Sequence, residues 1–104
     1  MRQKVLCVSP DAKAVKLRCE VLDRAGFVSD SSDPDVAIER LLREHFDAVL
    51  LAAQVSSTQT AAIRAVAGPE TIVSTLERGD AGDGLVQKVR AMFSPGDSRQ
   101  AANN

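Results

Sequence analysis

Four short apolar runs alternate along the chain with stretches whose apolar residues recur at helical spacing. The runs cover residues 4–8, 27–30, 48–52 and 71–75. The first and third are almost uninterrupted, as expected of strands buried on both faces of a parallel sheet, whereas the second is short and polar, as expected of an edge strand. Strands that alternate with helices of this length pair in parallel through right-handed crossovers. The sequence therefore predicts an α/β fold, a three-layer sandwich with helices on both faces of the sheet.

Local start and stop signals place the helices between these runs. Ser9 can cap the first helix with Pro10 at its first helical position, and Gly26 ends it. Asp33 before Pro34 repeats the start signal for the second helix. The predicted helices cover residues 10–25, 34–44, 60–67 and 85–93, and the predicted loops cover residues 54–59 and 77–84.

Composition excludes several classes of partner. The 104 residues correspond to one small domain, which we place at residues 1–94, with a polar, disordered tail at residues 95–104. With 13 basic and 14 acidic residues, the net charge of −1 is atypical of nucleic-acid-binding proteins. No apolar run approaches the roughly 20 residues that span a bilayer, and the amino-terminal segment is too weakly apolar for a signal peptide. We therefore expect a cytoplasmic protein with no nucleic-acid or membrane partner.

The cysteine and histidine content argues against a metal centre. The chain has two cysteines, Cys7 and Cys19, and a single histidine, His45. A structural zinc site uses about four such ligands, and two cysteines do not form a disulfide framework. In a reducing compartment, small buried apolar side chains are the favoured interpretation of both cysteines, and a redox role for either one is the less favoured alternative. The sequence predicts no metal and no cofactor.

Two segments in the first half of the chain carry an ordered set of motifs. In residues 4–27, a lysine-led apolar strand is followed by a short acidic turn, an amphipathic helix, and then Ala25, Gly26 and Phe27 at the start of the next strand. In residues 41–51, the end of an amphipathic helix leads into an apolar strand. This order, which needs no gap, resembles the receiver domain of bacterial response regulators. The order and spacing are more specific than any single motif.

The resemblance implies a site for phosphoryl transfer to an aspartate, whose side chains this sequence lacks. In the family, an acidic pair after the first strand holds Mg²⁺, and the acceptor aspartate ends the third strand. The acidic pair falls on Ser9 and Pro10, and the acceptor position falls on Ala52. Asp11 lies one residue after the pair and would cap the helix instead. Neither metal binding nor phosphoryl transfer then has a chemical basis.

The rest of the receiver pattern is also incomplete. Thr75 or Ser74 could match the hydroxyl residue that ends the family's fourth strand, but no lysine matches its last site position, since Lys88 lies in the final helix. A receiver has five strand–helix units, and four fit here. Either the run at 71–75 is the fourth strand and the last unit has lost its strand, or it is the fifth strand and the unit before it is deleted, which we favour. We expect a truncated, flavodoxin-like parallel sheet of about four strands in the order 2-1-3-4.

These absences predict a non-phosphorylatable receiver-like module, a pseudo-receiver that is not an enzyme and signals through dimerisation or through docking to a signalling protein. An open sheet edge would favour a homodimer. The predicted interface comprises Ile72, Val73, Leu85, Val86, Val89, Met92 and Phe93. The alternative is a small α/β ligand-binding protein or enzyme that uses the rim at the carboxyl ends of the strands. That rim comprises Ser9, Asp11, Ala52, Gln54, Thr75 and Glu77.

Overall fold

A computed structural model describes residues 3–77 and 82–93 of the chain. Its strands are β1 (Lys4–Val8), β2 (Val28–Ser32), β3 (Ala48–Leu51) and β4 (Ile72–Thr75). Its helices are α1 (Ala12–Arg24), α2 (Pro34–Arg43), α3 (Ser57–Ala67) and α4 (Gly82–Met92). The predicted tail at residues 95–104 lies outside the described residues, as do residues 78–81 of the predicted glycine-rich loop. None of the helices in the described ranges is long and apolar enough to cross a membrane.

The sheet has four parallel strands in the order β2-β1-β3-β4. This confirms the predicted α/β class and strand order, and the architecture is consistent with a flavodoxin-like fold. The chain steps from β1 to β2 in one direction and from β2 across to β3 and β4 in the other. Because parallel connections are right-handed, this reversal puts α1 on one face of the sheet and α2 and α3 on the other. The last helix, α4, packs beside α1, so the sheet forms the middle of three layers.

Both faces of β1 and β3 are buried, which explains their nearly continuous apolar runs. On β1, Val5 and Cys7 belong to the core beneath α1 and α4, whereas Leu6 and Val8 belong to the core beneath α2 and α3. The core on the α1 and α4 side contains Val5, Cys7, Val15, Leu22, Phe27, Ala48, Leu50, Leu76, Leu85 and Val89. The core on the other side contains Leu6, Val8, Ala37, Leu41, Phe46, Val49, Leu51 and Ile63.

The polar strand β2 lies at an edge of the sheet, as its composition predicted, but it spans Val28–Ser32 instead of residues 27–30. Phe27 precedes the strand and is buried in the core. Its ring lies 6.1 Å from the ring of Phe93, measured between centroids. The aromatic side chain that is predicted to open the strand therefore packs the end of the α1 and α4 layer.

Asp11, and not Ser9, caps α1. The Asp11 carboxylate accepts hydrogen bonds from the backbone N–H groups of Lys13 and Ala14 at 3.1 and 3.3 Å. Ser9 is buried, and its Oγ accepts a hydrogen bond from the N–H of Asp11 at 3.0 Å. The predicted Ser9 cap, with Pro10 as the first helical residue, is therefore wrong, and the expectation that Asp11 caps this helix is confirmed.

The third and fourth helices begin earlier than predicted, because residues with the composition of a loop form their first turns. Ser56 and Gln59 make a capping box on α3: the Gln59 N–H donates to Ser56 Oγ at 3.1 Å, and the Ser56 N–H donates to Gln59 Oε1 at 3.2 Å. Gln59 Nε2 also donates to the carboxylate of Asp35 on α2 at 3.2 Å. The helix α4 begins at Gly82 instead of Leu85.

Candidate functional site

The predicted rim lies at the carboxyl ends of the parallel strands, where ligands bind in open α/β sheets. Ser9 follows β1, Ala52 follows β3, and Thr75 ends β4. The structure thus places these residues along one edge of the sheet, as expected. What they can do there depends on which chemical groups they present to open space.

Ala52, to which the resemblance assigns the phosphate-acceptor position, presents no reactive group. Its side chain is a methyl group, and the residue is 2% exposed. Its N–H donates to the carbonyl of Val8 at 2.9 Å, and its carbonyl accepts from the N–H of Val55 at 3.0 Å. The end of β3 is therefore closed by backbone hydrogen bonds and apolar packing, and no nucleophile stands at its tip.

Ser9 and Pro10, to which the resemblance assigns the metal-binding pair, offer no carboxylate. The Ser9 N–H donates to the carbonyl of Ser32 at 3.1 Å, and its hydroxyl is engaged with Asp11. Proline has no side-chain oxygen. Within residues 3–77 and 82–93, no cluster of three or more His, Cys, Asp or Glu side chains could hold a metal ion.

Helix N-termini at this edge are capped by the protein's own side chains. Asp11 caps α1, Asp33 caps α2 through the N–H of Asp35, and Ser56 caps α3. Helix N-termini attract anions because their N–H groups are unpaired and their dipole end is positive. At α1 and α2, an aspartate carboxylate already accepts from these N–H groups and offsets the positive end of the dipole. This disfavours phosphate binding there. The Asp33 cap and Pro34 at the start of α2 confirm the sequence prediction.

Open space at the rim is divided between two clefts. One, of about 310 Å³, is lined by Arg18, Ala53, Gln54 and Glu77. The other, of about 230 Å³, lies beside Ser9 and the carboxyl end of β2. The structure therefore brings Gln54 and Glu77 together and places Ser9 in a different cleft. Sequence reasoning misses Arg18, because the spacing of a helix does not show which loop its side chain will meet.

The outer edge of β4 is covered by two cationic side chains. Arg64 of α3 donates to the carbonyl of Val73 at 3.4 Å, and Lys88 of α4 donates to the carbonyl of Thr75 at 2.9 Å. Alternate residues of a parallel strand direct their backbone groups to opposite sides. The strand β3 bonds to the residues of β4 that alternate with Val73 and Thr75. The two outward carbonyls are thus already hydrogen-bonded, and charged groups of this kind protect strand edges from pairing.

A groove of about 440 Å³ runs between α1 and α4. Its lining residues are Val21, Arg24, Ala25, Gly82, Asp83, Val86 and Arg90. A second cavity of about 350 Å³ shares Ala25 and Arg90 with this groove and reaches Phe27 and Phe93. The two are therefore neighbours along the α1 and α4 layer.

This geometry corrects the predicted interface. Leu85 and Val89 are 0% exposed inside the core and have no surface to offer a partner. The apolar face of α4 is turned inward because this helix covers one side of β1 and β3. Val86 lines the groove instead, and Ile72 is 37% exposed on β4. The remaining predicted interface residues, Val73, Met92 and Phe93, are half-buried.

No family model matches this chain, and neither a curated protein nor a solved structure matches it. The comparison with the receiver pattern therefore rests on the order of the chain's own motifs and on the observed strand order.

Proposed function

We propose that this protein is a receiver-like interaction module of a bacterial, cytoplasmic two-component system that works without being phosphorylated itself. The observation that carries the proposal is the contrast between scaffold and rim. The α/β sheet has the expected strand order, whereas a buried methyl group stands where the acceptor carboxylate would be. A phosphorelay that includes such a module would use it for contacts between proteins, and not for chemistry.

The absent side chains explain why phosphoryl transfer is not expected. An acyl phosphate needs a carboxylate nucleophile, and the transferred group needs Mg²⁺ or a cation to offset its developing charge. Ala52 supplies no nucleophile, and Ser9 and Pro10 supply no metal-binding carboxylate. Loss of both functions together removes the reaction, whereas loss of one could leave a residual rate.

Incubation with Mg²⁺ and acetyl phosphate tests this half of the proposal. The intact mass should remain that of the unmodified chain, while an unrelated active receiver in the same tube gains one phosphoryl group. A stable phosphoryl adduct on this chain would overturn the proposal.

For the interaction, a homodimer that uses the α1 and α4 layer is favoured over pairing of two β4 edges. Strand pairing would have to displace Arg64 and Lys88 from the carbonyls they cover, and it would bring these cations near those of the second copy. The groove between α1 and α4 has an apolar floor at Val21, Ala25 and Val86. Burial of such a floor by a second copy is favourable.

The charges along α4 are self-complementary. Asp83, Val86 and Arg90 line the same groove, with the acid in the first turn and the base in the last. Seven residues of helix span about 10 Å. If two copies pack with their α4 helices antiparallel and Val86 near the two-fold axis, Asp83 of one copy faces Arg90 of the other, twice.

A charge-reversal experiment tests this arrangement. Asp83→Lys and Arg90→Glu, each alone, place like charges across the interface and should weaken self-association at least about tenfold. An equimolar mixture of the two variants restores both pairs and should recover a heterodimer, as measured by sedimentation equilibrium. Circular dichroism checks that each variant is folded. A wild-type chain that stays monomeric at high micromolar concentration contradicts the dimer, and a mixture that stays monomeric contradicts this interface.

One observation supports the alternative of a small-ligand binding protein. The cleft at the rim brings the Arg18 guanidinium and the Glu77 carboxylate together with the amide of Gln54, and its volume is close to the lower range of ligand pockets. Such a cleft suits a small zwitterion. Calorimetric titration with amino acids tests it, and binding that is lost in Arg18→Gln would favour this alternative over the interaction module.

A further inference from the structure

Two cysteines from different elements, one on a strand and one on a helix, pack into the same core. Cys7 is in the middle layer, on β1, and is 1% exposed. Cys19 is on α1 and packs against the same core cluster, with part of its surface accessible. Both thiols are free. The pair thus joins a fully buried residue to one that is partly exposed.

The surroundings of the two sulfurs differ in a way that assigns them different roles. Hydrogen bonding to the Cys7 thiol lowers the pKa of Cys19; burial opposes the effect and the Ser29 hydroxyl adds to it. The Ser29 Oγ lies 3.0 Å from the backbone oxygen of Cys19. The same thiol contact, together with burial, raises the pKa of Cys7. Cys19 is therefore the sulfur that more readily becomes a thiolate, and Cys7 keeps its proton.

We propose that Cys7 and Cys19 form an oxidation-sensitive pair that hydrogen peroxide converts into an intramolecular disulfide. The Cys19 thiolate attacks one peroxide oxygen, the O–O bond breaks, and the departing hydroxide takes up a proton to become water. The resulting sulfenic acid is attacked by the Cys7 sulfur. The S–S bond forms as the S–O bond breaks, and the Cys7 proton leaves with the hydroxide as a second water. One peroxide is reduced and two thiols are oxidised.

This inference is independent of the proposed function. It would give the protein a second state, in which α1 is covalently linked to the sheet. A disulfide would tie α1 to β1, the strand at the centre of both cores. Because α1 lines the groove proposed as the dimer interface, oxidation would act on the same layer.

Peroxide treatment of the native, full chain tests the pair. Wild-type protein should lose both thiols together, its mass should fall by that of two hydrogen atoms, and peptide mapping should find Cys7 linked to Cys19. Cys7→Ala should stop at a sulfenic acid on Cys19, which dimedone traps, whereas Cys19→Ala should leave the buried Cys7 unreacted. The same chain in guanidinium, where both cysteines are exposed, gives the reference for unshielded reactivity.

Three outcomes would overturn the proposal. The native chain could keep both thiols under peroxide that oxidises the unfolded chain, it could form disulfides only between separate molecules, or Cys7 could react in Cys19→Ala as fast as Cys19 does in the wild type. The wild-type measurement needs no substitution, so a folding defect in either variant does not affect the result.

Discussion

At the end of β3, the methyl group of Ala52 occupies a space in which a charged side chain would be desolvated. The residue is 2% exposed, whereas the next residue, Ala53, is exposed and lines the open cleft at the rim. We predict that Ala52→Asp lowers the free energy of unfolding by about 3 kcal/mol, because a carboxylate without a partner is costly to bury. Urea unfolding followed by circular dichroism measures the effect.

Ala53→Asp is the matched control for this substitution. It adds the same carboxylate one residue further along, in contact with solvent, and should change the free energy of unfolding by less than about 0.5 kcal/mol. Equal stabilities for the two variants would mean that residue 52 is open to solvent, and the interpretation that the end of β3 is closed would be wrong.

Single residues were predictable where their own chemistry decides the outcome. Ala52, Ser9 and Pro10 cannot supply carboxylates in any fold, so their identities in the sequence were sufficient. The contact between Cys7 and Cys19 was not predictable, because it depends on which turn of α1 lies over which residue of β1. Side-chain pairs between a helix and a strand are set by packing, which no spacing rule within one element describes.

At the level of elements, the start of α3 depends on one reciprocal pair of hydrogen bonds. Ser56→Ala removes the side chain that accepts from the Gln59 N–H and should lower the free energy of unfolding by about 1 kcal/mol. Ser57→Ala, at the exposed first helical position, should have little effect. Urea denaturation of the two variants measures the difference, and an equal loss in both would show that the capping box does not stabilise the helix.

The end of α2 carries an ion-pair cluster that links stability to pH. Arg40 pairs with Asp30 of β2 at 2.6 Å and with Glu44 at 3.1 Å, and its guanidinium lies 5.4 Å from the centre of the Phe46 ring. Hydrogen bonding to Arg40 holds the pKa of Asp30 below its usual value, and hydrogen bonding to Arg40 and Lys4 does the same for Glu44. The folded state therefore binds fewer protons than the unfolded state around pH 4.

Since both pKa values are lowered by folding, the stabilisation is complete above the unfolded pKa values and is lost as the pH falls through the folded ones. Arg40→Gln should reduce this loss of stability between pH 6 and pH 3, whereas Arg43→Gln, on the same helix, should not. The Asp30 contribution should stay below about 1 kcal/mol, because half of this side chain is exposed. Thermal melting across this pH range checks the difference in slope, and identical slopes for the two variants would contradict the assignment.

Strands were easier to predict than helix starts, for a physical reason. A continuous apolar run such as that of β3 has few alternatives to burial between two layers of helices. Ser, Thr and Gln, in contrast, serve both loops and first turns, since the same side chain that bonds a loop backbone can cap a helix. This ambiguity explains why the sequence predicts a loop at residues 57–59, which form the first turn of α3.

At the level of the whole molecule, the alternation of strands and helices was enough to predict a parallel sheet between two layers of helices, whereas the strand order came from the resemblance to receiver domains. The predicted interface, in contrast, is wrong in part. Leu85 and Val89 mark the apolar side of α4, but that side covers β1 and β3 within the same chain. An apolar stripe shows that a helix packs against something, and it does not show whether that surface belongs to the same molecule.

The two cores share β1 and β3, so we predict that they unfold as one cooperative unit. Leu22 belongs to the core beneath α1 and α4, and Ile63 belongs to the core beneath α2 and α3; both are 0% exposed. Leu22→Ala and Ile63→Ala should each lower the free energy of unfolding by about 3 kcal/mol through lost burial and cavity formation. Alternate residues of the same two strands supply both cores. If one core unfolds, the other therefore loses the strands on which it packs.

Urea unfolding monitored by far-ultraviolet circular dichroism, together with native-state hydrogen exchange, checks this prediction. Both variants should keep a single transition with the wild-type dependence on urea, and amides in all three layers should lose protection by the same free energy. Leu17→Ala, on the outer face of α1 where the side chain is 64% exposed, is the control and should change stability by less than about 0.5 kcal/mol. If Ile63→Ala weakened protection in α2 and α3 alone, the layers would be separate units, and the sheet would not couple a change in the α1 layer to the opposite face.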